Sequence, residues 1–100
     1  MLATLIKDPS ERLDYTIDFG GWLETDEEIT GTPTWVRDPT GITIGTASYA
    51  PTVSADGKRV TVWLESGSAG TTYTITVTVV TDNSPARTAE RSFRIQVENR

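Results

Sequence analysis

The sequence predicts an all-β, two-layer fold in a single domain over residues 1–100. Apolar and polar residues alternate with a period of two in four separate runs, the pattern of half-buried antiparallel strands. Thr occurs 18 times, and Thr, Ile and Val together 33 times. Such β-branched side chains are stiff at χ1 and pack well on a pleated surface, so the composition favours strand. Turn-forming clusters divide the chain into about seven short segments at spacings of about 8–12 residues, the rhythm of a sandwich. A chain of 100 residues is long enough for one such core without disulfide staples.

Leu13, Tyr15, Ile17 and Phe19 alternate with Asp14, Thr16 and Asp18 in the first strong run. Val60, Val62 and Leu64 alternate with Thr61, Trp63 and Glu65 in the second. The third sets Tyr73, Ile75, Val77 and Val79 against Thr72, Thr74, Thr76 and Thr78, and the last sets Phe93, Ile95 and Val97 against Arg94, Gln96 and Glu98. A one-residue slip would turn each apolar set to water, so register is well specified. Weaker strands are expected over residues 29–36, 41–46 and 47–53, the last confined to an edge or a strand end by Pro51, which cannot donate to a ladder. Residues 1–7 are apolar and predict either a first strand or an extension that adds to a partner's sheet edge.

The turns are Asp8-Pro9-Ser10, Gly20-Gly21, Asp38-Pro39-Thr40-Gly41, Asp56-Gly57 and Gly67-Ser68-Ala69-Gly70. Asp56-Gly57 is a good hairpin tip between Val53 and Val60. Only residues 21–28 lack alternation; they have room for one short helical turn after Gly21, in a crossover whose Trp22 and Leu23 plug one end of the core.

Tyr73 sharpens the fold class. It follows Ala69-Gly70-Thr71-Thr72 and opens the strongest strand. That is where a tyrosine corner sits, its hydroxyl bonding to backbone just upstream, in an immunoglobulin-like antiparallel sandwich of about seven strands. An ordinary buried aromatic at a strand start is the alternative. Leu13, Tyr15, Ile17, Trp22 and Phe93 complete the set of expected structural residues.

The chain has no His and no Cys, which removes the commonest general base, disulfides and thiolate chemistry. A net charge of −5 argues against a nucleic-acid partner, since phosphate binding needs clustered Lys and Arg. No apolar run reaches the ~18–20 residues of a membrane helix, and the first residues do not read as a signal peptide. Asp26-Glu27-Glu28 is the one dense acidic run, without the ligand spacing of a calcium loop, and is expected to be a solvated crossover. No cofactor, metal or catalytic residue is expected.

Three features suggest surfaces instead. Trp63 faces away from Val62 and Leu64, so it either packs under a loop or offers an aromatic platform to a glycan or protein. Thr72, Thr74, Thr76 and Thr78 make a long uncharged row, a solvated face or an association surface. Asn83 and Pro85 lie in an exposed loop between the two longest strands.

Lys7-Asp8-Pro9, Leu13-Asp14-Tyr15, Asp18-Phe19 and Trp22-Leu23 resemble the opening of small tailed-bacteriophage proteins known as phage fiber-tail adaptors. Val62-Trp63-Leu64, Gly67, Ala69-Gly70, Tyr73, Thr81-Asp82 and the closing Arg91-Ser92-Phe93-Arg94-Ile95 are similar as well. The last loop of that family usually runs Asp-Gly-Arg, whereas here Asn83-Ser84-Pro85-Ala86-Arg87 takes its place. The resemblance implies a virion protein of the tail, neck or capsid surface, made in the host cytoplasm. It implies a protein that joins other virion proteins in multiple symmetric copies and catalyses nothing. A capsid decoration protein is a near variant; a carbohydrate-binding or adhesin-type module is the alternative from another class, and a hydrolase a distant third.

Overall fold

Each alternating run forms a strand whose apolar side faces a second sheet. The computed structural model describes residues 4–99. Its strands are β1 (Thr4–Lys7), β2 (Leu13–Asp18), β3 (Ile29–Asp38), β4 (Ile42–Ile44), β5 (Thr52–Val53), β6 (Arg59–Ser66), β7 (Thr72–Thr81) and β8 (Thr88–Val97). One sheet has the order β1-β8-β7-β3; the other has the order β2-β6-β4, with β5 also on β6. The fold is an immunoglobulin-like β-sandwich.

The core lies between the central strands. Val60, Val62 and Leu64 of β6 meet Tyr73, Ile75, Val77 and Val79 of β7 and Phe93, Ile95 and Val97 of β8, all buried. Each fully buried aliphatic side chain contributes about 1.5–3 kcal/mol, so these strands dominate stability. Tyr15 and Ile17 of the edge strand β2 are half-buried against this core.

The detail departs from the sequence expectation in four places. β1 pairs with β8 in parallel, with Thr4 opposite Arg94 and Lys7 opposite Val97, so the first sheet is mixed rather than antiparallel. Eight strands replace about seven, because Thr4–Lys7 supplies a short one in addition to the seven runs. Residues 21–28 hold hydrogen-bonded turns and no helix: the Trp22 and Leu23 amides both donate to the Phe19 carbonyl, at 2.9 and 3.0 Å. The helical turn is a 3₁₀ turn at Ala47–Tyr49, where a strand was expected. Pro33 lies within β3, on a sheet edge beside a register shift between Thr30 and Thr34, where its missing N–H costs no ladder bond.

At the end of β6, Ser66 (φ 66°) and Gly67 (φ 98°) turn the chain towards β7 in the left-handed region. The Tyr73 hydroxyl accepts a hydrogen bond from the Ser68 amide at 2.9 Å and ties down this corner. Lys7, fully buried, donates from Nζ to the carbonyls of Ser66 (2.6 Å) and Asp8 (2.9 Å). Burial pushes the Lys7 pKa down, and the nearby Glu11, Asp8 and Glu65 carboxylates oppose that shift.

Candidate interaction surfaces

The crossover over residues 19–28 and the β7–β8 loop meet at one end of the sandwich. Phe19 is buried there, and its ring lies 6.3 Å from that of half-buried Trp22 in an edge-on contact. The Arg87 guanidinium stacks 4.2 Å above the Trp22 ring and donates to the Trp22 carbonyl at 3.2 Å. Its Nε donates to Glu27 Oε2 at 2.9 Å, and Nη2 closes on Oε1. Glu27 is only 3% exposed.

The acidic run is therefore not a uniformly solvated crossover. Asp26 and Glu28 are exposed, whereas Glu27 turns inward. The Arg87 hydrogen bonds outweigh desolvation and, with the Glu24 amide and the Thr81 hydroxyl, lower the Glu27 pKa to about 2. The Glu28 amide donates to Asp82 Oδ1 and the Asp82 amide to the Glu28 carbonyl, both at 2.9 Å. The base of the β7–β8 loop is thus anchored while its tip projects: Pro85 is exposed, and half-buried Asn83 reaches Glu24 Oε2 at 3.5 Å.

On the outer face of the second sheet, Trp63 is half-buried. Tyr49, carried by the Ala47–Tyr49 turn, packs edge-on against it with ring centroids 5.1 Å apart. Arg12 covers Tyr49 in turn at 4.1 Å while pairing with Glu65 at 2.9 Å. Trp63 thus packs under a turn, and Tyr49 and Arg12 form the outer layer.

The outer face of the first sheet carries the threonine row. Thr72 is exposed, and Thr74, Thr76 and Thr78 are half-buried. Thr74 lies between Arg94 on β8 and Asp38 on β3, Thr76 between Ser92 and Val36, and Thr78 between Glu90 and Thr34. The Thr76 and Ser92 hydroxyls are 2.8 Å apart, so the row is cross-linked within its own sheet. Along the side where β1 and β2 are the sheet edges, a groove of about 470 Å³ opens over Leu5, Tyr15, Ile17 and Phe93, with Arg91 at its rim. The Tyr15 and Phe93 rings lie 5.7 Å apart on its floor. Among the described residues no group of three acidic side chains is placed to hold a metal ion.

Residues 7–96 match the family model described as podophage GP4 fiber-tail adaptor protein gp77. The chain belongs to this fiber-tail adaptor family. No curated protein matches the chain.

The adaptor match begins at Lys7 and ends at Gln96, so it takes in both the Tyr73 corner and the Trp22–Glu27–Arg87 clamp. The expected residues do not form one site. Tyr73 and Phe93 belong to one buried cluster, on which Tyr15 and Ile17 pack, while Trp22 packs on a second with Phe19. Leu13 is half-buried opposite Leu64. Trp63, the threonine row and the Asn83–Pro85 loop tip occupy three separate surfaces. Sequence reasoning missed Glu27, Arg87, Arg12 and Tyr49, whose partners lie far away along the chain; the inward turn of one carboxylate in an acidic run has no one-dimensional signal.

Proposed function

We propose that this chain is a non-enzymatic virion component that joins tail and fibre proteins through protein–protein contacts. The family match over residues 7–96 is the observation that carries this reading. The architecture supports it. The chain has no His and no Cys, and its buried carboxylate is neutralised by Arg87 rather than left available to chemistry. The surfaces for contact are the anchored loop with Asn83 and Pro85 at its tip and the outer face bearing Thr72, Thr74 and Thr76. A net charge of −5 argues against a nucleic-acid partner and favours other proteins. A chain made in the host cytoplasm and installed in several copies by assembly suits such a role.

Deleting the gene from the phage tests the reading. The expected particles have filled heads and tails but no fibres, and the chain supplied in trans restores them. Particles that carry a full complement of fibres without it would reject the reading.

A further inference from the structure

The outer face of the first sheet is nearly uncharged in a chain of net charge −5. Across β8, β7 and β3 it bears one cation, Arg94, and two carboxylates, Asp38 and Glu90. Arg94 and Asp38 are both register partners of Thr74, from opposite sides. Directly opposed residues point to the same face, and adjacent strands are about 4.8 Å apart, so the backbones of the two residues flank Thr74 about 10 Å from each other. No ion pair joins them across Thr74 among the described residues. Both residues are exposed, and among the described residues neither side chain has a hydrogen bond or salt bridge. Glu90, by contrast, already accepts from the Thr78 hydroxyl at 3.5 Å.

We propose that this face docks a second copy of the same chain about a two-fold axis running along β7, with each Arg94 paired to Asp38 of the second copy. The argument is self-complementarity. A two-fold axis lying in the interface exchanges the two sides of β7, which sets Arg94 over Asp38, Ser92 over Val36 and Glu90 over Thr34. No like charges meet, and β7 lies against β7, so the Thr74, Thr76 and Thr78 side chains and exposed Val80 face their own counterparts. Sheets pack face to face with their strand directions within about 30°, which this axis allows. Ten residues of β7 span about 34 Å and three strands about 15 Å, so each copy covers about 500 Å² and the pair about 1,000 Å². That area is at the lower bound for a specific interface, and the dimer is accordingly weak and reversible. The inference assigns the threonine face to a second copy of the chain, leaves the Asn83–Pro85 loop for tail and fibre proteins, and does not depend on the adaptor reading.

Sedimentation velocity of the full chain from about 1 µM to about 1 mM at low salt tests the proposal. The expected mass rises with concentration from 10.9 kDa towards twice that value. Arg94→Asp and Asp38→Arg each raise the dissociation constant about tenfold or more, and the double reversal returns it to within about threefold of the native value. Thermal melting checks that each variant is folded. Should one of them unfold, Thr76→Lys puts a charge on the axis instead and has the same expected effect. A chain that stays monomeric throughout, or a dimer indifferent to the charge reversals, overturns the proposal. The experiment contains no tail or fibre protein, so its failure is distinct from failure of the adaptor reading.

Discussion

Arg87 donates from Nε to the buried Glu27 carboxylate at 2.9 Å, a contact between residues 60 apart in the chain. It fastens the crossover to the start of β8. The loop between β7 and β8 therefore leaves the sandwich from a fixed base.

Removing Arg87 strands the Glu27 charge at a desolvated site, the costly way to break a buried pair, whereas the Arg87 side chain is a third exposed and loses less when Glu27 goes. Arg87→Ala is expected to lower the melting temperature by roughly 10 °C and Glu27→Ala by less, as calorimetry would record. Hydrogen exchange would register the first loosening in the amides of residues 82–87. A double replacement whose loss of melting temperature equals the sum of the two single losses would count against the pairing.

The same carboxylate sets an acid limit. Its pKa in the fold is about 2, against 4.5 without its partners. A depressed carboxylate pKa contributes stability that is fully present above about 4.5 and is lost as the pH falls towards 2. Denaturant midpoints measured between pH 6 and 2 are expected to fall through that window. In Glu27→Gln this component of the slope is missing.

Tyr73 and Gly67 hold the β6–β7 corner together. Tyr73→Phe deletes the bond from the Ser68 amide and is expected to cost about 1 kcal/mol. Gly67→Ala is expected to cost more, about 1–3 kcal/mol, because φ is 98° and the new Cβ would lie 2.8 Å from Val97 Cγ2. Urea unfolding measures both, and a Gly67→Ala protein as stable as the native one would refute this account of the corner.

Trp63 is a packing residue in this account. Trp63→Ala removes the surface on which Tyr49 rests and is expected to cost about 1 kcal/mol or more, with Tyr49 becoming mobile by NMR relaxation. Glycan-array binding that disappears in Trp63→Ala would instead establish a carbohydrate site.

Much of the fold was legible because a strand's side-chain period is two and the chain obeys it in β2, β6, β7 and β8. Tyr73 stood out through its place just after Ala69-Gly70-Thr71-Thr72, at the head of a run of alternating threonines. Strand direction was not legible for β1, since alternation is the same in parallel and antiparallel pairs and its partner lies at the other end of the chain. The Ala47–Tyr49 turn spans three residues and is held by Tyr49 against Trp63, a tertiary contact that overrides local preference. Glu27 and the flanking of Thr74 by Arg94 and Asp38 appear only once register is known.

The central claim is that this small sandwich links a phage tail to its fibres. Density for the intact virion, with this chain placed in it, tests that claim most directly. The account predicts the chain at the junction of tail and fibre, touching both. Density that places it only on the capsid shell, or particles that lack the chain altogether, would contradict it.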